Sequence, residues 1–542
     1  MQVTAPAARQ GGALPYKWIV ASVVIFGIFM SILDGTIVNI AIPRLQSAFG
    51  AQLSSVQWVL TAYTLAQGVA TPLTGFLSDR IGLKRFYMLS LAGFTIGSAL
   101  CGLAWSLPAL IVFRVLQGAT GAFLTPLAIT LLYREFPPQE RGTAMGTLGL
   151  PILLAPALGP TLGGYLVTFA NWQLIFYINV PIGIVGLIMA MVFLRTVQSP
   201  SNVQFDVPGF ITSAAGLGLL LYGLSDASTD GWTSAVVLGC ITAGVVLLIA
   251  FVMIELDRVR HERQPLLDMR VFTNSGFTTS NIASVMVVIA LYGGLFLVPV
   301  YLQNLRGLSA YQSGLLLLPQ AVASMVAVLI GGRLVDRFGV RAVVIPGLVI
   351  LAVTMWRFTT LTNTIMYSNF QLLLIARGFA LGLCLQPLMV SALADIRPRM
   401  LAQATAVNTT VRFVASSLGI AVLSTLVQSQ TKLHYAHMAE LVTADSPLGK
   451  LVPRLQALFM THGASALAAR GTALYEIKGL IQRQAYLLSI QDAFWLTLGL
   501  TVVAIVASFF VGMRRSQAQS EEQAPLTDEE SMAREEALLG VG

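Results

Sequence analysis

Charge is what this chain has least of. Only 10% of its 542 residues are Asp, Glu, Lys or Arg, 56% are hydrophobic, and the mean hydropathy is +0.77. A water-soluble domain carries about a quarter charged residues, so this composition excludes an ordinary soluble enzyme. Cysteine is scarce too. Cys101, Cys240 and Cys384 lie far apart inside apolar runs, which gives neither a disulfide framework nor metal-ligand spacing. Three of the four histidines (His434, His437, His462) share one polar stretch without ligand spacing, and no metal site is expected. H-E-x-x-H and G-x-S-x-G are absent, and Ala444 stands where a phosphate loop ending at Gly449-Lys450 would need its first glycine. ATP-driven and hydrolytic chemistry therefore have no support, and no enzyme activity is expected.

What the chain does have is apolar length. Residues 142–194 hold no charged side chain at all, enough for two crossings at about 20 residues each. With few charges and many such runs, the fold class is an all-α polytopic membrane protein. The excess of 32 basic over 24 acidic residues then reflects Lys and Arg retained on the cytoplasmic side during insertion, not nucleic-acid binding. Residues 1–17 form a polar cytoplasmic leader. The apolar stretch Trp18 to Pro43 that follows is too long for a signal-peptide core and no small-x-small cleavage site ends it, so it reads as the first spanning helix.

Charges, prolines and Gly/Asn turns cut the chain into apolar windows at about 18–43, 56–76, 86–106, 109–132, 143–168, 173–194, 208–226, 234–254, 275–300, 311–332, 342–362, 369–391, 402–427 and 493–513. Fourteen crossings put both termini on one side. With that side cytoplasmic, 20 of the 32 basic residues fall in cytoplasmic segments, eight outside and four (Arg114, Arg357, Arg377, Arg412) within helices. Six of the eight outside lie in one long segment, where the bias counts for little.

An internal repeat sets the domain organisation. GFLSDRIGLKR (75–85) and GRLVDRFGVRA (332–342) match at an offset of 257 residues, each in a short cytoplasmic loop between two helices. Two six-helix halves alone would give a smaller offset, so the windows at 208–226 and 234–254 are an inserted hairpin, and the arrangement is six plus two plus six. The expected units are 18–195 as the N-terminal half, 196–274 as hairpin and cytoplasmic linker, and 275–513 as the C-terminal half. Residues 514–542, with seven acidic side chains and no aromatic one, read as a disordered acidic tail. The outer segment at about 428–490 carries Leu451, Leu455, Leu458 and Phe459, then Leu467, Leu474, Ile477 and Ile481, at helical spacing. It reads as an extracytoplasmic helical hairpin on or above the membrane surface.

The repeated loop is also where a family becomes visible. G-x-L-x-D-R-x-G-x-K-R, with Gly75, Asp79, Arg80, Gly82, Lys84 and Arg85, and its copy at Gly332, Asp336, Arg337, Gly339 and Arg341, resembles the signature of the major facilitator superfamily. LDGTIVNIAIP (33–43), RVLQGATGAF (114–123), APALGPTLGGYL (155–166), WQLIFYINVPIG (172–183), YLQNLRGLSAYQSGLLLLP (301–319) and QAYLLSIQDAFW (484–495) resemble the fourteen-helix drug:proton antiporters of the EmrB/QacA type, and the long outer loop resembles EmrB-type members. Ala155 departs from the fifth-helix pattern by replacing its first glycine. The resemblance implies a major facilitator fold, a proton-driven exporter of hydrophobic small molecules needing no cofactor beyond the proton-motive force, a bacterial cytoplasmic (inner) membrane location, and a periplasmic adaptor partner.

Each motif also has a physical reading. Asp79 can pair with a basic side chain, or face a positive helix N-terminus, in one conformational state and lose that contact in the other. Gly159, Gly163 and Gly164 allow close approach to a neighbouring helix and Pro160 removes a backbone donor. The family reading makes them a hinge, while plain helix packing accounts for the same residues. Asp34 is the one acidic residue well inside a spanning window. It lies about 24 Å from the inner end of its helix, and Arg114 about 8 Å from the outer end of its own, so the two share a depth and can pair. A buried carboxylate that pairs and protonates suits proton coupling; the alternative is that Asp34 accepts hydrogen bonds from Thr36 or Asn39 and holds the first helix in register. Asn39, Tyr63, Gln67, Gln117, Tyr292, Gln320, Arg377, Gln386 and Arg412 are candidates for lining the substrate cavity, with helix packing as the alternative for each. Four intramembrane arginines against one aspartate make the interior positive, which suits neutral or weakly acidic hydrophobic compounds. Two further readings remain open: a dedicated exporter of one endogenous metabolite, and a non-transporting sensor or assembly partner.

Overall fold

The computed structural model describes residues 15–196, 205–261, 263, 265–362, 364–397, 400–443 and 445–511. The leader up to residue 14, the segment 197–204 and the acidic tail 514–542 lie outside the described residues. Among the described residues there is helix and no strand. First come α1 (Tyr16–Phe49), α2 (Leu53–Ala70), α3 (Thr74–Ile81), α4 (Leu83–Gly102), α5 (Leu107–Gly121), α6 (Leu124–Glu135), α7 (Arg141–Phe169), α8 (Leu174–Tyr177) and α9 (Asn179–Phe193). A pair follows, α10 (Val207–Asp230) and α11 (Ala235–Arg260). The rest is α12 (Ser275–Val300), α13 (Ala310–Phe338), α14 (Val340–Phe358), α15 (Tyr367–Leu393), α16 (Leu401–Glu440), α17 (Pro447–Thr461) and α18 (Ala466–Phe510).

Every apolar window falls on one of these helices or on a broken pair: α2 with α3, α5 with α6, α8 with α9. Among the described residues, eleven stretches are long and apolar enough to cross a membrane. The helices at the second, third and ninth windows are not among them; α12 contributes a shorter apolar run, Ser275–Leu291. The shortfall at α2 and α4 has a cause. They carry Thr64 and Gln67, and Ser90, Thr95 and Ser98, whose hydroxyls and amide are spent inside the protein. Ser90 and Thr95 donate to carbonyls one turn back at 2.8 and 2.7 Å, and Ser98 to Phe176 O at 2.8 Å. Such groups lower hydropathy without exposing anything unsatisfied to lipid.

In the first part of the chain α1 packs on α6, α7 and α9, and α5 on α2 and α4. In the last part α12, α14, α15, α16 and α18 surround one apolar cluster around Leu297, Leu348, Phe358, Leu374 and Phe494. The two parts meet where α7 lies along α13 and where α16 meets α3 and α6. Thr130 bonds Thr405 at 3.2 Å and Tyr133 donates to Val390 O at 3.3 Å across this seam. The α10–α11 pair is seated from outside, with α10 touching α2 on one side and α16 on the other. Leu221 fills the space over Gly68, Tyr222 stacks on Trp58 at 5.8 Å, and Trp232 Nε1 donates to Thr425 Oγ1 at 2.9 Å.

The repeated loops turn on Gly82 and Gly339, with φ of 89° and 85°. Each ends one helix and begins the next, in a region that other residues rarely enter. The outer segment 428–490 is largely helical and is continuous with the helices on either side. α16 and α18 run on without a break for 40 and 45 residues, about 60 and 68 Å, and α17 packs against the outer part of α18. The polar run 428–440 closes an apolar window but contains neither Gly nor Pro, so it has no reason to end a helix. Thr431 to Ser489 and His434 Nε2 to Asp492 Oδ2, both at 2.7 Å, tie the two long helices together.

Close approach of α5 to α2 depends on Gly118, where a Cβ would sit 2.5 Å from Tyr63 O. Gly118→Leu should lower the thermal unfolding midpoint in detergent, at a cost of about 1–3 kcal/mol for overpacking. Gly499→Leu, at a position with nothing within 4 Å, is the control. Equal midpoints for the two variants would show that this crossing is not tight.

Candidate functional site

Three broken or capped helices bring the site together. α5 starts cleanly because Ser106 Oγ accepts from Ala109 N at 3.3 Å and Pro108 occupies its first turn. That places Arg114 and Gln117 one turn apart on the face toward α1. The break between α8 and α9 makes Asn179 the first residue of α9, with Pro181 in the turn where its missing N–H costs nothing. Asp34 comes from the middle of α1.

The carboxylate of Asp34 accepts three hydrogen bonds. Arg114 Nη1 donates to Oδ2 at 2.5 Å, and Gln117 Nε2 and Asn179 Nδ2 donate to Oδ1 at 2.9 and 3.0 Å. Arg114 also donates to Gln117 Oε1 at 2.8 Å and, through Nε, to Val59 O at 3.0 Å, and its guanidinium lies 3.9 Å from the Tyr63 ring centroid. Asn179 reaches Ser98 Oγ at 3.1 Å. Asp34, Arg114, Gln117, Asn179 and Ser98 are all 0% exposed. Thr36 donates instead to the carbonyls of Leu33 and Ile32, at 3.0 and 3.2 Å, and Asn39 is exposed. The geometry thus selects the Arg114 pair over local bonds within α1. A proton added to Asp34 would remove the charge that compensates Arg114, and a buried guanidinium cannot lose its own.

Sequence reasoning placed Asp34 with Arg114, assigned Gln117 to the cavity and missed Asn179 and Ser98. The signal for Asn179 was available: an amide followed by Val-Pro inside an apolar window. Tyr63 and Gln67 are buried beside the site, with Tyr63 Oη donating to Ser31 O at 3.1 Å and Gln67 Nε2 donating to Tyr63 Oη at 2.9 Å. Among the other cavity candidates, Gln320 and Arg377 bond each other at 3.3 Å. Gln386 is buried against Gly149 and Val328 of the α7–α13 contact, and its amide finds no partner among the described residues. Arg412 is half-buried, 3.8 Å from the Met389 sulfur. The Tyr292 side chain lies outside the described residues, as does that of Pro160.

Helix α7 continues unbroken through Pro160. Gly159 and Gly163 face Thr36 and Ile37 of α1, and Gly164 faces Tyr311 of α13. The glycine stripe therefore lies within one turn of Asp34. At the other end of α7, Asp336 caps the helix start: Gly142 N at 2.8 Å, Thr143 N at 2.9 Å and Thr143 Oγ1 at 2.6 Å all donate to its carboxylate. This is the contact with a positive helix N-terminus expected of the repeated loop, and the second copy makes it. Gly332 beside it lies directly against the Gly142 backbone.

The first copy differs. Asp79 is half-buried and, among the described residues, makes no hydrogen bond, while Gly75 lies against Gln403 of α16. Arg80 lies over Phe76 at 5.8 Å, Lys84 donates to Met191 O at 2.9 Å, and Arg85 is exposed. In the second copy Arg337 lies over Phe338 at 5.2 Å and Arg341 donates to Val511 O. The motif SAYQ (309–312) is a capping box: Ser309 Oγ accepts from Gln312 N at 3.1 Å and Gln312 Oε1 accepts from Ser309 N at 2.9 Å.

Comparison with known proteins agrees with this architecture. The family profile described as Major Facilitator Superfamily matches residues 24–420. The uncharacterized MFS-type transporter YhcA of Bacillus subtilis (strain 168) is 34% identical over 508 residues, 93% of this chain and 95% of its own. The multidrug export protein EmrB of Escherichia coli (strain K12) is 29% identical over 487 residues, 89% and 93% of the two chains. The crystal structure of the human organic anion transporter MFSD10 (TETRAN) superposes with a TM-score of 0.57, covering 90% of this chain and 100% of its own, at 15% identity, a likeness of fold alone.

Burial pushes the Asp79 carboxyl up to about 6, with Arg134 acting the other way. A carboxyl raised above its unfolded value contributes stability below that value and loses it as pH rises through about 6. Asp79→Asn does not titrate, so its thermal midpoint relative to wild type should climb between about pH 4 and 6 and then level off. Discounted for partial exposure, the gain is about 1–2 kcal/mol. Parallel pH profiles for the two proteins would contradict this.

Proposed function

The chain belongs to the Major Facilitator Superfamily, a family of multi-pass membrane transporters rather than enzymes, and from that premise we propose that it is a proton-coupled exporter of hydrophobic small molecules, working by alternating access. Relatives that are multidrug exporters at this level of identity support the direction of transport. The observation that carries the coupling is the Asp34–Arg114 pair, wholly buried and completed by Gln117 and Asn179. Proton entry neutralises Asp34, frees Arg114 and shifts α1 against α7. Cargo leaves as the proton enters, with the proton-motive force as the drive and no other cofactor.

In this reading the fourteen windows are fourteen crossings, arranged six plus two plus six, with both termini in the cytoplasm of a bacterial cell and the protein in its inner membrane. The Asp336 cap on α7 holds the cytoplasmic side shut, and Asp79 is its counterpart in the first half. The cargo is neutral or weakly acidic. The outer extensions of α16 and α18 with α17 are a platform for a periplasmic adaptor protein, and their exposed Leu458, Leu467 and Tyr475 are its contact surface.

Two measurements test this. Asp34→Asn keeps the shape and removes the titratable group, so proton-driven efflux from reconstituted vesicles should fall at least about tenfold while the protein still elutes as a folded species. Wild-type pumping by the variant against a gradient would put the proton site elsewhere. Shortening 441–465 and the outer turns of α16 and α18 to a flexible link should abolish drug resistance in cells that have the adaptor yet leave vesicle transport intact. Lost transport in vesicles holding the shortened protein alone would replace the platform with a lid over the outer mouth.

A further inference from the structure

Arg377 is a charge that the coupling scheme leaves unused. It is 0% exposed, on α15 in the last part of the bundle, six residues beyond Gln371, the position that the repeat matches to Arg114. The offset of 257 residues that superposes the two gating loops also carries Asp34 onto Leu291 and Tyr63 onto Gln320. In the first half the guanidinium of Arg114 sits over Tyr63 and donates to the Asp34 carboxylate. In the second half Arg377 Nη1 donates to Gln320 Oε1 at 3.3 Å and Nη2 donates to Leu291 O at 3.2 Å. The same two register positions hold a buried guanidinium in each half. Only the carboxylate is missing from the second.

No acid among the described residues nearby replaces it. Helices α12, α14 and α15 contain no Asp or Glu. The acid on α13, Asp336, is 16 residues from Gln320, about 24 Å along the helix, and is committed to α7. Gly294 of α12 cannot supply one, because the guanidinium occupies the place its side chain would take. Both bonds Arg377 makes are long and go to neutral acceptors, and its Nε has no partner among the described residues. An Arg does not discharge on burial, and an uncompensated ion in a low-dielectric interior costs several kcal/mol. The planar fork suits a carboxylate or another delocalised monoanion.

We propose that Arg377 is the counter-charge for an organic monoanion, the carboxylate or similarly acidic group of the transported molecule, reached when α12 and α15 part. This rests on the transport reading and adds to it a residue that selects cargo by charge. In the first half the arginine is neutralised by the chain's own acid, which a proton can remove; in the second it is neutralised by what is carried.

The test uses the purified full-length protein in chloride-free Tris sulfate buffer with radiolabelled 1-naphthoate and its uncharged analogue 1-naphthamide, by equilibrium dialysis. Wild type should hold naphthoate about tenfold tighter than the amide, the worth of one charge-assisted contact. Arg377→Gln should erase that preference while the amide's affinity stays within about twofold, and Arg377→Lys should keep part of it. Retention of the preference by Arg377→Gln, a parallel loss of both ligands, or no naphthoate binding by wild type would overturn the proposal. So would loss of the preference on adding millimolar chloride, which would assign Arg377 to a resident inorganic anion. If Arg377→Gln does not fold, thermal protection decides: naphthoate but not naphthamide should raise the wild-type midpoint, by more than it raises that of Arg377→Lys, and equal protection of both proteins counts against it. Proton-driven efflux is measured on the same wild-type preparation. Naphthoate preference without coupled efflux would sink the transport reading and leave the anion site standing.

Discussion

A carboxylate and a guanidinium that no water reaches can persist only if each answers the other. Asp34 and Arg114 do so at 2.5 Å with neither side chain exposed. The pair draws in four helices, because Val59 O on α2, Gln117 on α5 and Asn179 on α9 complete the shells of two groups that α1 and α5 supply. Breaking such a pair by removing one member leaves an uncompensated charge, a cost of about 3–5 kcal/mol. Evolution toward mere stability would favour apolar residues here, so retention of the pair fits a part that has to change state.

Helix α7 connects that pair to the far side of the protein. Its outer half lays Gly159 and Gly163 on Thr36 and Ile37 of α1, next to Asp34, while its first turn hands its free N–H groups to Asp336. One continuous helix thus touches both the Asp34–Arg114 site and the Asp336 carboxylate. The two copies of the loop are alike in sequence but not in contact, because only the second faces the start of α7.

The helical fold was legible because lipid punishes unpaired backbone so strongly that apolar windows mark helices directly. The Asp34–Arg114 contact was legible for the same reason: a lone aspartate at the depth of an arginine can offset its burial by meeting that arginine. Asn179 and Ser98 were not, since an uncharged amide or hydroxyl is common in membrane helices and only the tertiary arrangement shows which ones converge. Residues 428–440 are polar yet helical, because nothing in that run breaks a helix. Tyr63, Gln67 and Gln117, for which cavity lining and helix packing both stood open, form hydrogen bonds inside one bundle.

The seat of α10 has a consequence for where cargo comes from. A compound that prefers the bilayer to water would reach a carrier sideways, through the two lengthwise gaps where its halves abut. On one flank that gap, between α2 and α16, is plugged from the lipid side by Leu220 and Leu224 set against Ala421, with Leu221 over Gly68 and Trp232 fastened to Thr425. The opposite flank, α7 along α13, carries no such cover among the described residues. The extra pair of helices thus covers one flank and leaves the two lengthwise seams unalike, so a lipid-borne compound would meet a different surface on each side.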